Sequence, residues 1–261
     1  MSVSNSLLDA VNKQTYANAK VVRCYEQLDF IHAAEQAIFD RLRPQIEGKK
    51  LLDIGIGGGR TTRFLLEISS DYTGIDYTQA SIDAAKIKVP QADLRCMDAR
   101  DLSSFGDESF SLVLFSFNGI DYMGHVDRLR TLAEIRRVLR TDGYFVFSTH
   151  NRDYRFFNKH PWQQEVHFDL KFLKSCIYAT LFLPRHARMR KLEVHGNDYD
   201  IINDNAHEFS LLTYYIGIEQ QKRQLQENGF QNVEAYDMSG NPITADDQFA
   251  WTYYLSQKAS V

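Results

Sequence analysis

Asp53, Gly55 and Gly57 lie where a short apolar stretch meets a run of glycines, in LLDIGIGGGR at residues 51–60. An apolar stretch of this length is typical of a buried strand. Glycine has no Cβ, so a ligand can approach the main chain closely at these positions. A glycine loop that leads into a helix also presents backbone N–H groups and the positive helix end to an anionic ligand. The stretch therefore predicts a ligand-binding loop.

The spacing of these glycines differs from the dinucleotide fingerprint G-x-G-x-x-G. Counted from Gly55, the third required glycine falls on Arg60, and counted from Gly57 it falls on Thr62. A nicotinamide-dependent oxidoreductase is therefore disfavoured.

Strands and helices alternate around this loop. The patterns predict strands at 50–55, 72–76, 92–98, 110–116 and 144–150, with helices at 60–69, 81–89 and 125–143 between them. A further helix at 218–230 precedes terminal strands at 232–238 and 249–258. Such alternation favours a parallel sheet covered by helices. The predicted fold is α/β, with a doubly wound, Rossmann-like, mostly parallel seven-stranded sheet, helices on both faces and an inserted cap after the fifth strand.

Three regions are predicted from this organisation. An apolar repeat from Val21 to Leu42 predicts a helix that ends at Pro44, within an N-terminal helical lid of residues 1–48. The α/β core takes residues 49–150 and 217–261. Residues 151–216 interrupt the alternation and form the predicted substrate cap, with an aromatic and basic helical part followed by a hairpin.

The carboxyl ends of parallel strands lie at one edge of the sheet, and ligands of such folds bind there. The residues expected at this edge are the glycine loop, Asp76, Asp98, Ser116 to Tyr122, and His150 with Asn151.

Four segments in order resemble the class I S-adenosylmethionine-dependent methyltransferase family, small-molecule type. LLDIGIGGG is similar to its first motif, and GIDYT ends a second strand with an acid. CMDARDL is similar to the segment that faces adenine, and RRVLRTDGYFVFS to the turn into the fifth strand. The resemblance covers roughly residues 48–150 and the last helix and strands. It implies S-adenosyl-L-methionine as cofactor and S-adenosyl-L-homocysteine as product.

The resemblance also implies roles for individual residues. The backbone at Gly55 and Gly57 would lie against the methionine part of the cofactor. Asp76 would accept hydrogen bonds from both ribose hydroxyls, and Asp98 with Ala99 would bind the adenine edge. Ser116 would face the amino acid end. The implied cofactor-binding set is Asp53, Gly55, Gly57, Asp76, Tyr77, Asp98, Ala99, Ser116, Asn118 and Tyr16. From the residues alone, Asp76 is equally a loop acid or helix cap, and Asp98 a turn cap.

Methyl transfer to an amine or hydroxyl needs alignment and, for some acceptors, a base. His150 is placed best by topology, whereas His207 must be brought over the site by the cap. Tyr214 is the third catalytic candidate, although the tyrosines of LLTYYI are equally core strand residues. Either histidine is alternatively an ordinary hydrogen-bonded residue, and Tyr25 is interpreted as part of an amphipathic helix face. No metal site is expected.

Composition restricts the partners. The chain has 261 residues, 44% of them hydrophobic, and a formal net charge of −4, which disfavours nucleic acid and an anionic membrane. Three scattered cysteines favour reduced thiols and a cytoplasmic location. The longest apolar patch, CIYATLFL at 176–183, is too short to span a bilayer. The expected partner is a small-molecule methyl acceptor, and the cap offers a surface for a homodimer.

The leading hypothesis is therefore a methyltransferase acting on N or O of a small metabolite. One alternative is methylation of a macromolecule such as tRNA or protein, which depends on the basic run RHARMRK at 185–191. Another is a nucleoside-binding domain that has lost its chemistry. The sequence does not name the acceptor.

Overall fold

The structure is a computed structural model that describes residues 5–16, 18–159, 170–245 and 248–260. The helices are α1 Asn5–Tyr16, α2 Ala19–Glu26, α3 Ala33–Ile46, α4 Thr62–Ile68, α5 Gln79–Lys88, α6 His125–Val138, α7 Leu170–Leu181, α8 Leu183–Met189 and α9 Ile218–Glu227. The strands are β1 Leu51–Ile54, β2 Tyr72–Asp76, β3 Asp93–Cys96, β4 Phe110–Phe115, β5 Leu139–Asn151, β6 Val194–His195, β7 Tyr199–Ile202, β8 Thr213–Ile216, β9 Phe230–Tyr236, β10 Pro242–Ile243 and β11 Trp251–Lys258.

The sheet follows the order β10-β9-β11-β5-β4-β1-β2-β3. Strands β3, β2, β1, β4 and β5 run parallel to their neighbours, whereas β11 runs antiparallel to both β5 and β9. These strands together are the predicted seven, so the doubly wound, mostly parallel sheet is confirmed. Strand order reverses between β1 and β4, and the crevice at that switch point is where ligands of such sheets bind.

Helices cover both faces because the buried strands are apolar on both sides. Along β4, Leu112 and Leu114 point to the cluster that includes α3, α4 and α5. Val113 and Phe115 point to the opposite cluster, which includes α6 and α9. The sheet is therefore held rigidly between two apolar layers.

Two predicted helix ends are wrong. The N-terminal pattern forms two helices, since α2 ends at Glu26 and α3 begins at Ala33, and Pro44 lies inside α3. Pro44 lies in the last turn, and the helix continues only to Ile46 beyond it. The helix at 125–143 ends at Val138, and β5 begins at Leu139 and continues through Asp142, whose φ of 61° turns the chain.

The insert joins the main sheet. Strand β8 pairs in parallel with the end of β5, with Tyr215 opposite His150. Strand β7 pairs antiparallel with β8, as the predicted hairpin requires, and β6 adds to β7. Part of the predicted cap, residues 160–169, lies outside the described residues. The division into lid, core and cap stays a prediction.

None of the helices that the structure describes combines the length and apolar character needed to cross a membrane.

Candidate active site

A cavity opens at the carboxyl edge of the sheet, between the glycine loop, the ends of β2, β3 and β4, and helices α1 and α2. It contains about 1120 Å³ of atom-free space, part of it open to solvent. Nearly all the predicted cofactor-binding residues line it: Asp53, Gly55, Gly57, Asp76, Tyr77, Asp98, Ala99, Ser116 and Tyr16. The structure therefore brings together residues from four strand ends and the N-terminal segment.

The glycine loop is shaped by backbone conformations that favour glycine. Gly55 and Gly57 have φ values of +67° and +53°. A Cβ on Gly55 would lie 2.9 Å from the ring of Phe115. A Cβ on Gly58 would lie 2.6 Å from the Cα of Glu26, so α2 rests directly on the loop. Side chains are thus excluded both by φ and by close packing.

Asp76 is held at the end of β2 by the loops around it. Its Oδ2 accepts from the Gly57 N–H at 3.0 Å, and its Oδ1 accepts from the N–H and the hydroxyl of Thr78, both at 2.9 Å. Burial raises the pKa of Asp76, although these hydrogen bonds oppose the shift. These bonds fix the orientation of the carboxylate, which lines the cavity.

Asp53 lies beneath the loop and is fully buried. It accepts hydrogen bonds from Thr61 Oγ1 at 2.6 Å and from the Tyr72 hydroxyl at 3.0 Å. Burial raises the pKa of Asp53 to about 7. Thr61 occupies the cap position of α4, but its hydroxyl makes the bond to Asp53 and does not cap the helix. The buried carboxylate thus competes with the helix end for the same hydroxyl.

Asp98 lines the cavity and also fulfils the alternative role of a turn cap. Its Oδ1 accepts from the N–H of Arg100 at 2.9 Å, and its Oδ2 accepts from Arg100 Nη2 at 2.6 Å. Desolvation works against ionisation, but the bonds to Arg100 lower the pKa of Asp98. Arg100 also pairs with Asp9 of α1 at 2.9 Å. The loop after β3 is thus tied to helix α1.

A buried ion pair that the sequence analysis missed forms the other end of the cavity. Arg60 Nη1 and Nη2 donate to the two carboxylate oxygens of Glu35 at 2.7 and 2.6 Å. Arg60 also contacts Ser116 Oγ at 3.1 Å, and Ser116 donates to Glu35. In sequence, Arg60 stood out only as the residue that breaks the dinucleotide fingerprint. Its partner lies 25 residues away on helix α3, so no local pattern reveals the pair.

Tyrosines from distant segments form an aromatic wall. Tyr16, Tyr25 and Tyr122 all line the cavity. The ring centroid of Tyr16 lies 5.0 Å from that of Tyr122 and 6.0 Å from that of Tyr25. Interpreting Tyr25 as a mere helix face was wrong, because α2 packs on the glycine loop and turns this ring into the cavity.

His150 lies behind this wall. Its Nδ1 is 2.7 Å from Oδ2 of Asp121, which also accepts the backbone N–H of His150 at 2.7 Å. Its ring centroid is 6.2 Å from that of Tyr122. His150 is 7% exposed and does not line the cavity itself. It is therefore adjacent to the cavity and separated from it by the ring of Tyr122.

Asn118 lies with His150 outside the cavity. It adopts a left-handed conformation with φ of 59°, and its N–H donates to Ser148 Oγ at 2.9 Å. Its Nδ2 lies 3.4 Å from Nε2 of His150. The structure thus places Asn118 beside the histidine and not among the cavity-lining residues.

The two candidates from the insert occupy different places. His207 Nε2 lies 3.2 Å from the hydroxyl of Tyr25, and burial lowers the pKa of His207. Tyr214 is fully buried, and its hydroxyl lies 2.9 Å from Nδ1 of His125. The structure does not bring Tyr214 to the cavity, because successive residues of β8 point to opposite sides and Tyr215 takes the side of His150.

Residues 52–147 match a protein family described as a methyltransferase domain. The ubiquinone biosynthesis O-methyltransferase of Cereibacter sphaeroides is 33% identical over 135 residues, which are 49% of this chain and 53% of that protein. A probable S-adenosylmethionine-dependent methyltransferase of Mycolicibacterium smegmatis is 27% identical over 117 residues, 45% of this chain and 44% of that protein. The chain spans about half the length of the curated relatives it matches.

Solved structures share the fold. A S-adenosylmethionine-dependent methyltransferase from Clostridium acetobutylicum superposes with a TM-score of 0.59 at 12% identity, covering 92% of this chain and 98% of that one. The 1,6-didemethyltoxoflavin-N1-methyltransferase of Burkholderia thailandensis, solved with its substrate and S-adenosylhomocysteine, gives 0.58 at 14% identity, covering 98% and 88%.

Residues 52–147 match the methyltransferase domain family, and the chain shares the fold of solved S-adenosylmethionine-dependent methyltransferases. The class I resemblance and the S-adenosylmethionine cofactor that it implies are therefore confirmed.

The cavity fits such a cofactor. It has bare main chain at Gly55 and Gly57, an oriented carboxylate at Asp76 and a second acid at Asp98. Its aromatic wall suits a cationic sulfonium, because ring faces attract positive charge.

Proposed function

We propose that the protein transfers a methyl group from S-adenosylmethionine to a nitrogen or oxygen atom of a small-molecule metabolite. One observation carries the proposal. A single cavity contains the residues suited to the cofactor and is closed on its far side by tyrosines, with a histidine–aspartate pair directly behind them. The class of acceptor is supported by the similarity to an O-methyltransferase of ubiquinone biosynthesis and by the shared fold with a 1,6-didemethyltoxoflavin N1-methyltransferase.

The cofactor supplies a methyl group that is already activated on a sulfonium. The chain has to bind and orient it. Asp76 would accept from the ribose hydroxyls, Asp98 with Ala99 would meet the adenine, and the loop at Gly55 would follow the methionine part. Arg60 and Ser116 lie at the end where a free carboxylate and ammonium would be placed.

The N-terminal helices would act as the lid. Asp9 and Tyr16 of α1 and Tyr25 of α2 line the cavity, and Asp9 is tied to Arg100 beside the adenine site. Closing the lid would exclude water and hold donor and acceptor in line, and such positioning can contribute about 7–11 kcal/mol. Tyr16, Tyr25 and Tyr122 would form the walls on the acceptor side.

His150 would act as the base where the acceptor needs one, with a water molecule relaying the proton past Tyr122, because His150 lies behind that ring and does not line the cavity. A carboxylate only accepts hydrogen bonds, so Nδ1 carries the proton shared with Asp121 and Nε2 keeps the lone pair. In this scheme Asp121 is a positioning residue that holds the tautomer. His207, which contacts the Tyr25 hydroxyl, would hold this tyrosine of the aromatic wall in position. Tyr214 stays a sequence prediction that its buried position does not favour.

The acceptor class can be tested with methyl-labelled S-adenosylmethionine and a cell extract that is afterwards separated into metabolite, RNA and protein fractions. We expect label in the metabolite fraction with the wild-type chain and loss of that label with Asp76→Ala. The matched control is Asp71→Ala, an exposed acid just before the same strand. Label confined to RNA or protein would overturn the small-molecule proposal but leave methyl transfer intact.

A homodimer through the cap and a cytoplasmic location stay predictions.

A further inference from the structure

Helix α7 carries an apolar stripe on its exposed side. Leu170 is 75% exposed, Leu173 55%, Ile177 59% and Leu181 68%. Spacings of three and four residues place these side chains on one side of the helix. The opposite side is packed against the protein, where Ala179 is 5% exposed. This arrangement reverses the usual one, in which the apolar side of a surface helix faces the core. We call these four side chains the α7 stripe.

Exposed apolar side chains are concentrated in this segment. The stripe continues into α8 with Leu183, which is 48% exposed. Elsewhere in the described part of the chain, large exposed apolar side chains are isolated: Phe30, Ile87 and Val126. Isolated residues of this kind are normal on protein surfaces, whereas a contiguous patch marks an interaction site.

The charge of the same segment is strongly one-sided. Residues 170–192 contain six lysines and arginines and no aspartate or glutamate, although the whole chain has a net charge of −4. Lys174 flanks the stripe and is exposed. Arg185 and Arg190 follow it, with side chains that are 46% and 60% exposed, and each lies 3.7 Å from one carboxylate outside the segment, that of Glu208 or Glu193. Arg188 is exposed as well. The composition of the whole chain hides this local excess.

We propose that the α7 stripe and the basic residues after it form a docking surface for an anionic lipid bilayer. A helix that lies in the membrane interface buries its apolar side among the acyl chains and keeps its cations at the headgroups. Clustered lysines and arginines add attraction to anionic lipids. The expectation that no membrane is a partner came from net charge, and this surface departs from it. The proposal does not depend on methyl transfer.

Other occupants fit the surface less well. A two-fold symmetric dimer would place the same patch on both copies. Cations would then face cations, since residues 170–192 offer no acidic partner. RNA would meet Arg185 to Lys191, but nucleic-acid interfaces are polar and the leucines of the stripe would gain no partner there.

The docking surface is connected to the wall of the cavity. Arg185 Nη1 donates to the carbonyl of Glu208 at 3.0 Å, and Lys20 of α2 pairs with the Glu208 carboxylate at 2.6 Å. The neighbouring His207 has its ring centroid 5.9 Å from that of Tyr25. A bound bilayer would therefore lie against the elements that support the cavity-lining tyrosines.

The test is flotation of the full chain with vesicles of phosphatidylcholine alone and of phosphatidylcholine mixed with phosphatidylglycerol. We expect binding to the anionic vesicles, weakened by added salt. Leu173→Gln with Ile177→Gln should reduce the bound fraction at least about tenfold, because two apolar side chains no longer enter the bilayer. Arg188→Gln should reduce binding about fivefold.

The matched controls are Ile87→Gln and Val126→Gln, which remove exposed apolar side chains outside the segment and should leave binding unchanged. Unchanged melting temperatures would establish that all variants are folded. Failure of the wild type to bind anionic vesicles would overturn the proposal, as would equal binding by the stripe variant. Self-association in solution that the stripe variant abolishes, without vesicle binding, would assign the surface to a second copy of the chain instead.

Discussion

His150 and Asp121 form a buried pair in which Nδ1 of the imidazole lies 2.7 Å from Oδ2 of the carboxylate. The other oxygen of Asp121 accepts from Arg128 Nη1 at 2.6 Å. Arg128 and Asp121 are both fully buried. The carboxylate is therefore held between a fixed cation and the imidazole, and the orientation of His150 is set by residues on α6 and after β4.

The first prediction concerns this histidine. His150→Gln should lower kcat about 10²–10⁴-fold if the acceptor needs a base, while affinity for S-adenosylhomocysteine stays unchanged because His150 does not line the cavity. Kinetics at saturating cofactor and calorimetric titration measure the two effects. The control is His195→Gln, whose side chain is 56% exposed. An unaltered kcat would mean that the acceptor enters already deprotonated.

The second prediction concerns Asp76. Replacement by alanine removes the acceptor for the ribose hydroxyls, and bonds to a charged group contribute about 1.5–3 kcal/mol. Cofactor affinity measured by calorimetry should fall accordingly, whereas the exposed Asp71→Ala should leave it unchanged. Equal affinities for Asp76→Ala and the wild type would show that the ribose lies elsewhere.

The third prediction concerns ligand-linked stability. S-adenosylhomocysteine at about 100 times its Kd should add about 2.7 kcal/mol to the free energy of unfolding. For a chain of this length the melting temperature should rise by about 5–10 °C. NAD should produce no rise, because the glycine spacing does not fit it. A rise with NAD alone would refute the cofactor assignment.

The fourth prediction concerns Asp53 and pH. Burial raises the pKa of Asp53 to about 7 in the folded protein, whereas an unfolded aspartate has a pKa of about 3.9. The folded state therefore binds this proton more tightly, and the contribution of Asp53 to stability falls as the pH rises from about 4 to about 7.

The asparagine of Asp53→Asn cannot ionise, so this variant should lack the loss of stability that ionisation of Asp53 causes as the pH rises. Urea unfolding at a series of pH values in the absence of cofactor should show the variant gaining stability relative to the wild type across that window. Asp71→Asn serves as the control and should follow the wild type. Parallel curves for Asp53→Asn and the wild type would contradict the raised pKa.

The fifth prediction concerns the ion pair at the end of the cavity. Glu35→Gln leaves Arg60 buried without its carboxylate, and removing one partner of a buried pair costs about 3–5 kcal/mol. The free energy of unfolding should fall by this amount in urea titrations. Glu47→Gln, at an exposed position just after the same helix, should change it little. A small loss for Glu35→Gln would show that water reaches Arg60.

Much of the site was predictable because it depends on local pattern and on one rule of topology. The glycine loop, Asp76, Asp98 and Ser116 each follow a strand, and parallel strands end at one edge. Arg60 with Glu35 could not be found in this way, since their contact joins a loop to a helix that is distant in sequence. Tyr25 was misjudged for a related reason. Its helical spacing was recognised, but the face of α2 that meets the loop is a matter of packing.

By itself, the sequence determined the alternation of strands and helices, the bare backbone after β1 and the acids at the strand ends. Each of these features depends only on residues that are close together in the sequence. Tertiary structure decided which side chains face one another. The register that sets Tyr215 opposite His150 turns Tyr214 into the core, since residues in a strand alternate sides. Likewise, the apolar spacing of α7 has the form of a core helix, and only the packing around Ala179 turns that stripe outward.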